Sequence, residues 1–158
     1  MVKKKSQGLK GVGNQILHQN IISDLIFGIR KKLVKRHLSK KYYVIPEISI
    51  SQLGYYGYTK DHNIDLLVYD TFKKSIHLII EIERKGKTFA STKKKVKECL
   101  ECMGDLQEAF IVNFNGNNVN FYKCTLEKGK LIIATKSNSK SEFLKMNLKT
   151  CLVNLKNK

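Results

Sequence analysis

The sequence predicts an α/β domain built on a mixed central sheet flanked by helices. Three observations predict it. Short runs rich in Ile, Leu, Val and Tyr, of strand length, fill the middle of the chain. Longer stretches with apolar residues at helical spacing lie before and after them. The third observation is size: 158 residues, 42% hydrophobic, suit one domain with a real core, and a single proline and no Pro/Gly/Ser-rich linker mark no boundary within it.

Residues 1–12 are basic and glycine-containing, and are expected to form a mobile arm. From Asn14 to Leu38 the apolar residues Leu17, Ile21, Leu25, Ile29 and Leu33 recur at helical spacing, with Ile22 and Ile26 widening the stripe. Arg30, Lys31, Lys32, Lys35 and Arg36 crowd the end of this helix, where cations suit the helix dipole and can also touch phosphates. Three strands follow, Tyr42–Ile50, Asn63–Tyr69 and Ile76–Arg84. Pro46 argues that the first lies at a sheet edge or begins there. The loop between the first two carries Tyr55, Tyr56 and Tyr58; a connection of hairpin size, Asp70–Ser75, joins the second and third. Thr88–Met103 reads as a helix, with Val96, Cys99, Leu100 and Met103 on one side and lysines on the other. A strand at Ala109–Phe114, a turn at Asn115-Gly116 and two strands at Val119–Thr125 and Leu131–Thr135 come next, the last two meeting at Glu127-Lys128-Gly129. A helix over Glu142–Leu155 closes the chain. The expected order is αβββαβ over residues 14–114, then a β-hairpin and helix in a C-terminal extension, 115–158.

Charge bounds the function. Thirty Lys and Arg against 13 Asp and Glu give a net charge of +17, an excess that costs self-repulsion and that a polyanionic partner, by default nucleic acid, explains best. No apolar run approaches the ~20 residues of a membrane helix, and the basic N-terminus is not followed by a secretory apolar run. A cytoplasmic or nucleoid protein without a membrane role is expected. Cys99, Cys102, Cys124 and Cys151 lack the two close pairs of a structural zinc site and read as reduced thiols.

Against that positive background, six of the 13 acids (Glu47, Asp61, Asp65, Asp70, Glu81 and Glu83) fall between positions 47 and 83. Side chains alternate along a strand. In the third strand Ile76, Leu78, Ile80 and Ile82 make a core face, and His77, Ile79, Glu81, Glu83 and Lys85 lie on the other. In the second strand Ile64, Leu66 and Val68 are the apolar set, with Asp65 opposite. Paired as a hairpin, the two strands bring Asp65 beside Glu81 or Glu83. Converging carboxylates repel one another, and a divalent cation such as Mg²⁺ relieves that cost. The bland alternative is a polar sheet face with cross-strand ion pairs. His18, His37, His62 and His77 show no metal-ligand spacing and read as structural or surface residues.

On these residues and this order of elements the chain resembles the PD-(D/E)XK nuclease superfamily, which includes restriction endonucleases, Holliday-junction resolvases and DNA-repair nucleases. The family motif is an Asp on the second strand, then an acid, any residue and Lys on the third. Asp65 looks like the first position. Glu81-Ile82-Glu83 matches with Glu in place of Lys, and Glu83-Arg84-Lys85 matches literally, one repeat further on. No proline stands beside Asp65, and the acid many members carry on the first helix has only Asp24 or Gln15 as neighbouring counterparts.

The resemblance implies Mg²⁺-dependent hydrolysis of DNA phosphodiester bonds, with Mn²⁺ able to substitute. It makes Asp65, Glu81 and Glu83 the metal carboxylates, Lys85 or Glu83 the group that positions water, and Glu47 an additional acid. Arg84, Lys93, Lys94 and Lys95 are implied near the phosphates. Cutting two strands commonly uses two active sites, which leaves a homodimer open. The rival reading is a catalytically inactive nucleic-acid-binding module on the same fold.

Overall fold

The computed structural model describes residues 6–54, 63–83, 89–106, 108–115 and 118–137, with the side chains of 6–17, 114–119 and 134–137 excepted. The elements are α1 (Ser6–Lys35), β1 (Tyr42–Ser49), a 3₁₀ turn (Ser51–Leu53), β2 (Asn63–Asp70), β3 (Ser75–Glu83), α2 (Phe89–Cys102), β4 (Ala109–Asn115), β5 (Asn118–Glu127) and β6 (Lys130–Ser137). The strands form one six-stranded sheet in the order β1-β2-β3-β4-β5-β6. β3 and β4 run parallel, joined across α2, and every other neighbour is antiparallel. This is the α/β fold expected, a mixed sheet flanked by helices with αβββαβ followed by a β-hairpin. The helix expected over Glu142–Leu155 and the Tyr55–Tyr58 loop lie outside the described residues.

Two apolar layers sandwich the sheet. Ile21, Leu25 and Ile29 of α1 pack with Leu66, Val68, Ile80 and Val112. Val96, Cys99 and Met103 of α2 pack on the other side with Leu67, Ile79 and Ile111. With a helix on each face, the central strands must be apolar on both. The expectation of one core face and one polar face on β3 is therefore corrected: Ile79 is as fully buried as Ile80. Ile76 also leaves the company of Leu78, Ile80 and Ile82 and packs in the α2 layer. An irregularity in the β2–β3 register between Val68 and Tyr69 separates it from them.

The boundaries follow local chemistry. β1, with Pro46, is at the sheet edge. The β5–β6 turn has positive φ at Lys128 (48°) and Gly129 (75°) between the paired residues Glu127 and Lys130, the twist a two-residue hairpin needs. At the start of the chain, α1 begins at Ser6, so residues 6–12 of the expected arm are helical. Each of Gly8, Gly11 and Gly13 costs about 1 kcal/mol against alanine, and a helix already nucleated propagates through them.

Candidate active site

β2 and β3 part at Asp65. Their backbone pairing runs from Val68↔Leu78 to Leu66↔Ile80 and is not continued beyond that rung. Carboxylates take its place. The Ile82 N–H donates to Asp65 Oδ2 at 2.7 Å, and the Asp65 N–H donates to Glu81 Oε1 at 3.4 Å. Each acid thus accepts from the opposing strand, which fixes the two side chains against each other in the fork.

The same row is irregular in β1. Pro46↔Leu66 and Ile48↔Ile64 pair on either side of Glu47 and Asp65. Glu47 has φ of 49°, an unfavourable left-handed conformation for a residue with a side chain. Side-chain alternation slips here in both strands. Val44 and Leu66 pack in the α1 layer, whereas Ile48 and Ile64, separated from them by an even number of residues, pack in the α2 layer. The grouping of Ile64 with Leu66 and Val68 is corrected by that slip.

Two helices supply the rest of the site. From α1, His18 is wholly buried, its Nε2 3.5 Å from Asp65 Oδ1. Neither ring nitrogen has a hydrogen-bond partner among the described residues. The adjacent Gln19 donates from Nε2 to Glu47 Oε1 at 2.7 Å. From α2, the Lys95 ammonium lies 2.6 Å from Glu81 Oε2 and also donates to the Asn63 carbonyl. Glu83, one same-side step beyond Glu81, is buried and accepts from Asn113 Nδ2 at 2.6 Å, its parallel-strand neighbour on β4.

The electrostatics are those of a crowded anionic pocket. Burial, and then the Asp65 charge, push the Glu81 carboxyl up to about 8 against the pull of Lys95. Burial also acts upward on Asp65, but the His18 ring, the Ile82 N–H and the Lys95 charge outweigh it and hold that carboxyl below the ordinary aspartate value. Glu83 is raised by burial and partly relieved by Asn113. One ammonium, paired with Glu81, therefore acts on two carboxyl groups that the fold holds close together.

That donor set fits a small hard cation in kind. Mg²⁺ commonly takes one or two carboxylates from the protein and completes its shell with water and phosphate oxygens. Among the described residues no three His, Cys, Asp or Glu side chains converge on one metal position. Asp65 and Glu81 are the pair that could hold the ion.

The remaining sequence candidates are distributed as follows. Lys93 stands over the Phe89 ring at 5.1 Å and Lys94 is exposed, so the three consecutive lysines point to different tasks. Arg84 and Lys85 lie outside the described residues. Sequence reasoning missed His18, Gln19 and Asn113. His18 carried a usable signal, since it shares helical spacing with Ile21, Ile22, Leu25 and Ile29 and so sits on the buried stripe. The resemblance implies Lys95 only as a phosphate contact; the structure pairs it with Glu81. Cys99, Cys102 and Cys124 are free thiols.

No helix among the described residues is long and apolar enough to cross a membrane. No protein-family model matches the chain, and no curated protein matches it. Among solved structures it is similar to the type IIG restriction endonuclease BpuSI, at 14% identity and a TM-score of 0.47, over 83% of this chain and 16% of that one.

Proposed function

We propose that this chain is a metal-dependent nuclease that hydrolyses DNA phosphodiester bonds, with its active site in the fork between β2 and β3. The observation that carries the reading is the reciprocal grip of Asp65, half-buried, and Glu81, buried, each carboxylate accepting from the other's strand, with the Lys95 ammonium on Glu81. A fold gains nothing in stability from holding two carboxylates together out of water. A cation-binding site does need them.

In this reading Asp65 and Glu81 hold Mg²⁺, or Mn²⁺ in its place. When bound, the ion supplies Lewis-acid polarisation of the scissile phosphate and an acidified water. Glu81-x-Glu83 is the favoured register, because Glu81 rather than Glu83 meets Asp65. Lys95 supplies from α2 the ammonium that the motif carries on the third strand, placed to orient water or neutralise charge developing on the phosphate. Glu83, steadied by Asn113, lies beside the pair. Lys85 remains a second source of an ammonium. His18 and Gln19 position Asp65 and Glu47. Arg84 and Lys94 contact the backbone without reading sequence. A homodimer would present two such sites to a duplex.

The test is cleavage of plasmid and four-way-junction DNA with Mg²⁺, with Mn²⁺ and with EDTA. Asp65→Ala and Glu81→Ala should each abolish metal-dependent cutting, by at least about 100-fold, and Lys95→Ala should lower it about 100-fold. Substrate preference would name the subclass. The second reading, an inactive binding module, is favoured by the Lys95 ammonium, which partly neutralises Glu81 without any metal. Tight binding with no cutting, indifferent to both carboxylate substitutions, would establish it instead.

A further inference from the structure

At the far end of β2 from the carboxylates, three segments meet. The first is the end of α1, the second the turn into β1, and the third the β2–β3 hairpin tip, Thr71–Lys74. The tip is fastened down. The Thr71 N–H donates to the Lys41 carbonyl at 2.8 Å, and its hydroxyl donates to the Lys40 and Lys41 carbonyls at 3.0 and 2.9 Å. Asp70, buried, accepts from the Phe72 and Lys73 N–H groups through Oδ1 at 2.9 and 3.0 Å. Phe72 caps this fixed tip with 73% of its surface exposed. An apolar ring held out in water by so many bonds is not a folding requirement.

Its surroundings are cationic. Lys40 and Lys41 form the turn to which the tip is bonded, Lys73 and Lys74 follow Phe72 in the tip, and Lys35 and Arg36 precede that turn in the chain. Neither residues 30–45 nor residues 71–75 include an acid. Asp70, the nearest, is buried and committed to the turn and, at 3.9 Å, to the Lys41 ammonium. That ammonium also sits 5.8 Å from the Phe72 ring centre. A rigid exposed aromatic ring amid lysines is the combination that stacks an unpaired base while cations hold its phosphates.

We propose that this hairpin tip is a second nucleic-acid contact, in which Phe72 stacks on an unpaired base and the surrounding cations hold the strand. It begins six residues from Asp65 along the chain, roughly 20 Å at ~3.3 Å per residue, so it touches the polynucleotide away from the bond to be cut. The inference rests on nucleic acid being the partner of the proposed active site, and it names the form recognised: a strand with unstacked bases.

Fluorescence anisotropy of the full chain in EDTA tests it, with an oligothymidylate of about 20 nucleotides and a blunt duplex of equal length as probes. Phe72→Ala should weaken oligothymidylate binding about tenfold and duplex binding less than about twofold, and Phe72→Trp should restore the loss. The thermal midpoint of Phe72→Ala should stay at the wild-type value, since the ring is exposed. Lys73→Gln with Lys74→Gln should reduce the salt slope of binding by about 1–2. Unchanged oligothymidylate affinity in Phe72→Ala, or an equal loss on both probes, overturns the proposal. So does Phe72-dependent binding to phosphatidylserine vesicles that exceeds binding to the oligonucleotide. If those overturning results come with intact metal-dependent cleavage, the hairpin contact alone has failed; if neither DNA binding nor cleavage is found, the nuclease reading fails with it.

Discussion

At the scale of single residues, the polar groups in the interior are the informative ones. Asp65, Glu81, Glu83 and His18 are held around one fork, and His77 lies apart from them, beside Tyr42 with ring centres 5.1 Å apart. Burial holds the His77 ring below its ordinary value of 6.5, against the opposing pull of Asp70. The unfolded chain takes up a proton at this residue near pH 6.5, and the folded chain only at lower pH. Between those two values the unfolded state binds more protons, so stability falls as pH falls; above 6.5 the contribution is complete. In His77→Gln that slope is absent. The wild-type advantage in thermal midpoint over His77→Gln should therefore shrink as pH drops from about 7.5 to about 5. A pH-independent difference would show that the ring is not held neutral by the fold.

At the scale of elements, the end of α1 is a Schellman closure. The Leu38 N–H donates to the Leu33 carbonyl at 2.9 Å and the His37 N–H to that of Val34 at 3.0 Å, while Leu38 packs back on the core. The left-handed position belongs to His37, with φ of 58°, where glycine is the unstrained choice. His37→Gly should stabilise the chain by roughly 0.5–1 kcal/mol, read as a higher midpoint in denaturant at unchanged slope; destabilisation would mean the imidazole makes a contact worth more than the strain. Elements of this kind were legible in the sequence because their signals are local. The Ile/Leu/Val/Tyr runs marked β1 to β3, Pro46 marked the edge, and Lys128-Gly129 marked the β5–β6 turn. Side-chain direction was less legible. Parity counting works only while a strand is regular, and it failed at Ile76, beyond the irregular rung near Val68, and at Ile64, beyond the slip at Glu47 and Asp65. The side chains that helices bring to the fork were out of reach for another reason. Nothing in the local spacing of His18, Gln19 or Lys95 says where α1 and α2 will dock, so their partners Asp65, Glu47 and Glu81 emerge only from tertiary packing.

At the scale of the whole molecule, the charge is uneven. Lys31, Lys35, Arg36, Lys40, Lys73, Lys74 and Lys94 are exposed in a chain with an excess of 17 positive charges, and the exterior also carries Asp24, Glu47, Glu101, Asp105 and Glu127, while Asp70, Glu81 and Glu83 are buried. A polyanion would be drawn to the basic exterior and repelled at the fork by the half-buried Asp65 and by Glu81 whenever it ionises, with Lys95 the ammonium that offsets them. That opposition makes nucleic-acid affinity depend on what neutralises the pair. Without divalent ions the wild type should bind DNA with a strong salt dependence but below its full affinity. Ca²⁺, an oxygen-seeking ion that would occupy the carboxylates, should then tighten binding about tenfold, close to 1.4 kcal/mol. The double variant Asp65→Asn with Glu81→Gln removes the Asp65 charge and the ionisable carboxyl of Glu81, which is pushed up to about 8, while keeping side-chain volume. It should bind in EDTA about as tightly as the wild type does with Ca²⁺, and should gain little from the ion. Titrations of a fluorescent duplex at fixed ionic strength separate the alternatives. Wild-type affinity that ignores Ca²⁺, with no gain in the neutral variant, would mean that the polynucleotide never approaches the fork. The acids would then be a charge pair inside a basic binding module rather than the centre of a nuclease.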